Sequence, residues 1–541
     1  MTVAPPALVG GGIGTFLVKM ARGEDQGGII YGGHSINDIQ DSTNLAVDAA
    51  QGDTQCILTS NPGLSIGQIV LIDEDTYIHT EPDVRWWTLP SPPNPAPPNA
   101  NSDPDFTDFC RRVTGPPLSA RSIGQMMEIT SITTTTNPND TIHFATPFHH
   151  TFKTANLAQL TRYNSNALVG IGIEELALIG AMGPSILFTR AAYCWYKHIE
   201  GYYSRGASGH FQSYRSEIRD SYFHETPAPI FGGSGYLLCM SYPTSDSIIH
   251  NCISWNGNKV VVMQGSGGGN VFSYNYTDDA WGSTYPNLPE AGVNAAHFIS
   301  SHMELFEGNY SHKYQGDSYW GNIFDVTCWR NHFSALRAGA SWLGTPYYVT
   351  IGGVDYPYCD EGGQTGRNAV DVQSFNYRNN FVGNVLGYNG QALLNFTFHP
   401  GPNQHVVLQT DFNYENVSGY QTAAHVYMWV FGGNQMDQRI TVGGGWGTWD
   451  TSCITTMLRQ GNWDWVTGSQ VWYANPIGAT GSSSTGTPKP IVPSLYLTSA
   501  PDFFLSNSYA ANRWPWVDPS TGITYKLPAK ERFLAGTPNL L

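Results

Sequence analysis

The chain has 541 residues, a net charge of −16, only 13% charged residues and no basic run, which excludes nucleic acid as a partner on electrostatic grounds. No stretch is long and apolar enough to span a membrane. Sparse charge with 59 glycines and abundant Asn, Ser, Thr and aromatic residues suits a turn-rich β protein with a polar surface.

Residues 1–23 are Gly-rich and mildly apolar but lack a basic start, a solid apolar core and a clean cleavage site, so no signal peptide is read there. The run Gly10 to Gly14 is not a dinucleotide fingerprint, because no strand, helix and downstream acid follow in order. From Gln55 to Asp73 the pattern is strand, Pro-Gly turn, strand, and two further strands are expected at Met126 to Thr133 and Thr141 to Phe144 around an Asn-Pro-Asn-Asp turn. Between these pairs lies the proline-rich excursion Trp86 to Pro98, which cannot form a central strand. Trp86 and Trp87 read equally as a sugar-stacking platform or as a plug against the rest of the chain. Residues 1–160 are thus expected to form a small N-terminal β elaboration.

A short pattern then recurs, anchored at Ile199, Ile218, Ile249, Phe272, Phe306, Trp329 and Tyr377. Its spacing, roughly 20 residues where rungs are tight, is that of a stacked repeat in which no unit closes its own core. Alternation on a strand points each anchor and the residue four later inward, as for Ile218 with Tyr222 and Phe306 with Tyr310. The residue after each anchor then faces out, giving Glu200, Arg219, His250, Ser273, Glu307, Arg330 and Arg378. Asn251, Asn275, Asn309, Asn331, Asn379 and Asn380 fall where the strand should bend; Asn tolerates left-handed backbone, and stacked amides form ladders. A β-sandwich also has many short strands, but it need not repeat one motif with fixed offsets, so a parallel β-helix is expected over 161–470.

Two insertions interrupt the rungs, between Tyr276 and His297 and between Leu336 and Phe375, and such loops commonly gather on the binding face of a repeat scaffold. After Leu458 the rungs give way to a Gly/Ser/Thr linker and a tail expected to pack back on the helix, over 471–541. Eight cysteines, Cys56, Cys110, Cys194, Cys239, Cys252, Cys328, Cys359 and Cys453, show no CxxC pair and read as buried thiols, with Cys359 in a loop where it could pair. The sequons at Asn275, Asn309 and Asn395 lie on rungs or strands, so glycosylation there is discounted.

The stretches NCISWNGNKVVVMQGSGGGNVFSYNY, SSHMELFEGNYSHKYQGDSYWGN with the following CWRNHFS, LRQGNWDWVTG, PSLYLTSAPDFF and WPWVDPSTGITYKLPAKERF resemble bacterial secreted β-helix proteins of the pectin lyase-like superfamily. The resemblance covers most of the chain from about Cys56 and implies an all-β, right-handed, single-stranded parallel β-helix, acting outside the cell as a monomer or homotrimer on a polysaccharide. The export signal and the first capping rungs of such proteins are not visible here. Because that superfamily holds lyases, hydrolases, tailspikes and proteins of unknown activity, chemistry must be argued from residues.

The densest chemical cluster is His297 to Trp320, which gathers His297, His302, Glu304, Glu307, His312, Asp317, Tyr319 and Trp320 on neighbouring rungs. Rungs lie about 4.8 Å apart, so carboxylates one or two rungs apart match the separations used by glycosidases. Glu304 and Asp317 are the candidate acid and base, with Asp278 and Asp279 from the preceding insertion beside them and His297 and His302 tuning their protonation. Trp281, Tyr319, Trp320, Glu307 and Arg330 are candidates for substrate contact, as are His210, Gln212, Tyr214, Arg215 and Arg219 on earlier rungs. Blander roles compete: Glu307 paired with Arg330 in a solvated ladder, and His302 as a core histidine. A metal site of His297, His302 and Asp317 lacks any compact ligand spacing and is not expected. A glycoside hydrolase comes first, inverting as the resemblance implies. A lyase on a uronic-acid polymer, with Ca2+ or cationic side chains, is next, and a non-catalytic carbohydrate-binding or structural surface protein is third.

Overall fold

The computed structural model describes residues 15–18, 30–75, 111–113, 119–134, 139–227, 235–280, 291–295, 297–317, 322–335, 348–351, 354–357, 369–373, 375–389, 407–408, 429–431, 452–465, 467–473, 486–505 and 513–538. Successive coils lay equivalent strands side by side in parallel, so the fold is a parallel β-helix with three faces. The first sheet runs through Glu217–Arg219, Ile248–His250, Val271–Ser273, Leu305–Glu307, Thr327–Trp329 and Asn380–Val382. The second runs through Tyr222–His224, Ile253–Gly257, Tyr276–Ala280, Tyr310–Ser311, His332–Phe333 and Val385–Leu386. The third holds Gly209–Tyr214, Leu238–Ser241, Val261–Gln264, Val293–Asn294, Tyr314–Gly316, Val370–Val372 and Trp429–Phe431.

The core column of the first sheet is Tyr196, Ile218, Ile249, Phe272, Phe306, Cys328 and Phe381, in register and each at most 2% exposed. Burying such side chains contributes about 1.5–3 kcal/mol each. Four expected anchors hold; Tyr196, Cys328 and Phe381 stand where Ile199, Trp329 and Tyr377 were expected. The register aligns main-chain positions and does not follow the largest side chain. The column ends at Arg459, whose guanidinium lies 3.9 Å above the Tyr473 ring.

Between the first and second sheets the chain turns through one left-handed residue, Asp220, Asn251, Tyr274, Gly308, Arg330, Gly383 or Gly461, in seven coils. The next residue carries the ladder. Asn275, Asn309, Asn331 and Asn384 each direct backbone N–H and Nδ2 to the Oδ1 of the next Asn, ending at Asn462, over 2.8–3.0 Å. Each Nδ2 also reaches a first-sheet carbonyl, as Asn331 does to Phe306 O at 2.8 Å. Ser221 and Cys252 hold this level in earlier coils. Three of the six expected asparagines are therefore on the ladder. Asn251 is the left-handed residue before it, while Asn379 and Asn380 belong to the start of a first-sheet strand. Asn275 and Asn309 are fully buried, consistent with discounting their sequons, and Asn395 lies outside the described residues.

The left-handed step reverses the alternation, so the residue five after an anchor faces in and the residue four after it faces out. Phe223, Phe333 and Leu386 join the core, whereas Tyr222, Tyr276, Tyr310 and Val385 form an outward column. That column is covered by the C-terminal tail through Phe503, Phe504, Trp516 and Leu527. Polar latches fix the tail. Trp516 Nε1 donates to Gly308 O at 2.6 Å, and Arg532 Nη2, in the helix Pro528–Leu534, donates to Asn251 O at 2.7 Å.

The N-terminal elaboration is a six-stranded antiparallel sheet around Leu58, Ile72, Ile129, Phe148, Phe152 and Leu160. Its strands form as expected, but Gln55–Ile57 and Ile69–Glu74 do not pair with each other; they add to Thr141–Phe144 and Ile123–Thr133. Thr15–Val18 and Ile30–Gly33 pair in parallel with the solenoid, so the elaboration is inserted after a first coil rather than beginning at residue 1. It docks through His149 Nε2 to Asp246 Oδ1 at 2.8 Å and Ser245 Oγ accepting from Met126 N–H at 3.0 Å. Trp86 and Trp87 lie outside the described residues, as do Cys110 and Cys359; the other six cysteines are buried. Among the described residues no helix is long and apolar enough to cross a membrane.

Asn331→Ala removes the Oδ1 that two neighbouring donors use and leaves them buried. It should lower stability by about 2–4 kcal/mol in chemical denaturation, against less than about 1 kcal/mol for a half-exposed ladder-free position such as Thr327→Ala.

Candidate functional site

Insertions cannot enter the bend between the first and second sheets without breaking the ladder. The chain instead departs at the next corner, between Ala280 and Val293, between Phe333 and Val370, and between Leu386 and Trp429.

On the outer side of the third sheet, alternation sets Tyr314 and Val370 inward and their neighbours Gln315 and Asp371, which pair in register, outward. Asp371 Oδ2 faces Lys313 Nζ at 3.2 Å and Gln315 Nε2 at 3.3 Å. One residue past the strand Tyr314–Gly316, Asp317 Oδ2 lies 3.2 Å from His297 Nδ1. The other nitrogen of His297, Nε2, is 2.7 Å from the Tyr236 hydroxyl. Lys259 Nζ stands 5.6 Å from the centre of the Tyr236 ring. These side chains are almost wholly buried, Asp317 being the most open with 13% of its side chain exposed. An Asp317 acceptor at Nδ1 leaves a lone pair on Nε2 directed at the Tyr236 O–H, so the three groups form one proton-transfer chain.

Around the corner, Tyr276 OH donates to Asp278 Oδ2 at 3.3 Å and His312 Nδ1 lies 3.9 Å from Asp278 Oδ1. Lys530 of the C-terminal helix sits 3.8 Å above the Tyr310 ring; burial pulls its ammonium below the ordinary lysine range, against the opposing charge of Asp278. Asp279 is buried beside Asp278 in left-handed backbone, at the start of the insertion whose Trp281 is outside the described residues.

Other expected site residues are dispersed. Glu304 ends a second polar ladder, at the turn into the first sheet: Cys194 N–H donates to Ser216 Oγ, Ser216 N–H to Ser247 Oγ, Ser247 N–H to Asn270 Oδ1, and Asn270 Nδ2 to Glu304 Oε1. Burial pushes its carboxyl up to about 8, so Glu304 is a neutral wall residue and does not meet Asp317. His302 stacks on Phe324 at 5.3 Å under the N-terminal elaboration, and burial drives it down to about 3. It is the core histidine of the blander reading. Glu307 accepts Leu495 N–H and Tyr274 OH, each at 2.9 Å, while Arg330 donates to Ile491, Val492 and Val517 carbonyls; both fasten the tail.

Tyr214 is buried, its hydroxyl 3.5 Å from Thr146 of the elaboration. His210, half-buried on the outer face of the third sheet, contacts Ser241 Oγ and is driven by burial to about 4. Arg219 lies on the first sheet against Asp220 at 2.7 Å. Of the expected outward column, Arg219, His250, Ser273 and Glu307 are in register. Glu200 faces His224 at 3.0 Å on the second sheet, and Arg378 pairs with Asp325 at 2.7 Å. Tyr319 and Trp320 lie outside the described residues. Sequence reasoning missed Tyr236 and Asp371. Asp371 sits between two valines in strict alternation and was detectable as an outward acid, whereas nothing local marks Tyr236. Among the described residues no group of three or more His, Cys, Asp or Glu could hold a metal ion.

No family model and no curated protein matches the sequence. Among solved structures the chain is similar to the tailspike gp61 of Pseudomonas phage phi297, with TM-score 0.39 and 10% identity over 70% of this chain and 57% of that one. It is also similar to tailspike gp49 of Pseudomonas phage LKA1, with TM-score 0.30 and 10% identity over 64% and 54% of the two chains. A third is the gp54 tailspike of Acinetobacter baumannii bacteriophage AP22, solved with A. baumannii capsular saccharide, with TM-score 0.28 and 9% identity over 66% and 59%. The chain spans a little over half the length of each. Likeness this distant carries no statement about activity, and with no family match the pectin lyase-like resemblance stays one of fold.

Glu304 and His302 give opposite pH dependences. The folded chain keeps a proton on Glu304 that the unfolded chain releases, so stability falls as pH rises from 4.5 towards 8. His302 must be charged on unfolding in acid, so stability also falls as pH drops from 6.5 towards 3. Glu304→Gln should retain the Asn270 contact and flatten the alkaline limb, gaining about 1–3 kcal/mol over the wild type between pH 5 and pH 9 in urea titrations. An unchanged slope would show Glu304 ionised in the fold.

Proposed function

We propose that the protein cleaves an acidic polysaccharide outside the cell, by β-elimination, on the outer side of the third sheet. The observation that carries this reading is the Asp317–His297–Tyr236 chain. In it, Tyr236 takes the proton from C5 of a uronate as His297 Nε2 takes the phenolic proton, and Asp317 stabilises the resulting imidazolium. Electrons from the C5–H bond form the C4=C5 double bond while the C4–O4 bond breaks. The departing O4 recovers a proton from Tyr236 as His297 returns its own. Lys259 and Lys313 supply positive charge there for the substrate carboxylate.

Hydrolysis is the second reading, favoured by Asp317 and Asp371. They face out from adjacent rungs two positions apart, with Cα atoms about 8 Å apart from strand geometry, and a carboxylate pair is what a glycosidase requires. It ranks lower here because the described partners of both carboxylates are donors, which suits a base more than an acid for either of them.

Digests of polygalacturonate, alginate and a neutral xylan, each with and without a calcium chelator, separate these outcomes. Ultraviolet absorbance from the new double bond is expected on an acidic polymer. Tyr236→Phe should lower that rate about a hundredfold or more and Asp317→Asn about tenfold to a hundredfold, with unchanged thermal melting. New reducing ends without absorbance would establish hydrolysis, and polymer binding without cleavage would favour a non-catalytic surface protein.

A further inference from the structure

The first sheet carries an outward cluster at its early coils that lies away from the third sheet and meets the tail at one edge, through His250. Gly172, Trp195, Glu217 and Ile248 share one outward column, and Lys197, Arg219 and His250 share the next. The Trp195 indole lies over Gly172, where an added Cβ would come within 2.0 Å of the ring. Its edge is fixed by Nε1 donating to Glu174 Oε1 at 2.6 Å. One coil on, Glu217 Oε1 faces His250 Nε2 at 2.6 Å and Arg219 Nη1 at 3.8 Å. All four side chains, Trp195, Glu217, Arg219 and His250, are only half-buried. Among the described residues the tail reaches this sheet as far as His250, through Phe503 at 5.8 Å between ring centroids, and Glu217 and Trp195 lie one and two coils before it.

We infer that Trp195, Glu217, Arg219 and His250 form a second glycan-binding surface, for a neutral sugar chain. Partly exposed ion pairs contribute about 0–1 kcal/mol and would explain Arg219 with Glu217 as ordinary surface chemistry. They do not explain an indole held flat over a glycine on an outward strand position, an arrangement that offers one apolar face at a fixed height. The coil spacing of about 4.8 Å sets a carboxylate acceptor and a guanidinium donor one coil further, close to the advance of one sugar ring, and the His250 imidazole one coil beyond them. Charge selects the class of ligand. Glu174 lies one coil before the ring, Glu217 and Arg219 one coil after it, and Lys197 two residues along its own strand. The local field is therefore mixed and favours hydroxyl groups over a polyanion.

Binding here is independent of cleavage at the third sheet, and the test reads binding alone. The full chain is run by affinity electrophoresis in gels containing xyloglucan, arabinoxylan, galactomannan, glucomannan, mixed-linkage β-glucan or dextran. At least one polymer is expected to retard the wild type. Trp195→Ala should weaken that retardation about tenfold and Glu217→Gln about threefold. Tyr203→Ala, which removes an exposed ring elsewhere on the solenoid, should leave it unchanged. Glu217→Gln carries the test if Trp195→Ala fails to fold. The inference is overturned if no neutral polymer retards the wild type, if the folded variants at both positions migrate like it, or if Tyr203→Ala loses as much as Trp195→Ala.

Discussion

The asparagine ladder is the constraint on which the rest of the molecule depends. Each rung satisfies a buried backbone N–H and a side-chain amide through the coil above, and its geometry admits only one spacing between first and second sheets. Left-handed backbone at Tyr274 and Arg330 costs about 1–2 kcal/mol each and persists because the ladder fixes the residues that follow. Two consequences follow. Reversed alternation turns an aromatic column outward, which must then be covered by the tail. Variation in chain length is also driven to the next corner, at the entry to the third sheet, whose outer side carries the polar chain of Tyr236, His297 and Asp317.

Sequence alone disclosed the repeat, the fold class and most of the first-sheet register, because apolar anchors at regular spacing are dictated by burial of one face. It was less informative at the bend. The pattern of Ile218 with Tyr222 looked like two inward residues, since alternation was counted through a left-handed step that no residue type announces; Asp220, Tyr274 and Arg330 occupy it as readily as Gly308. Asn384 and Asn462 were hidden because their coils are separated from the others by long insertions. The ladder, not the spacing, identifies them.

Within the expected site, nearness in sequence proved a poor guide to nearness in space. His302 and Glu304 stand only a few residues from His297, yet a corner intervenes. They are absorbed by the N-terminal elaboration and the second ladder, respectively. Glu307 and Arg330, which resembled a surface charge ladder, are consumed by a segment nearly two hundred residues downstream. His297 and Asp317 do meet, since one coil of chain separates them and returns to the same face. Tyr236 completes their chain from an earlier coil, a contact that requires the register of the third sheet.

Two surfaces with different chemistry thus share one scaffold. Cations and a proton-transfer chain sit on the outer side of the third sheet, while a fixed indole and a mixed-charge fork lie on the early coils of the first sheet. The most direct test of the third sheet as the reacting site is a crystal structure of the Asp317→Asn variant with an oligosaccharide of the cleaved polymer. The sugar chain should cross the outer side of the third sheet with a ring oxygen or C5 against the Tyr236 hydroxyl. A chain bound away from Tyr236 and His297, with that side empty, would contradict the account.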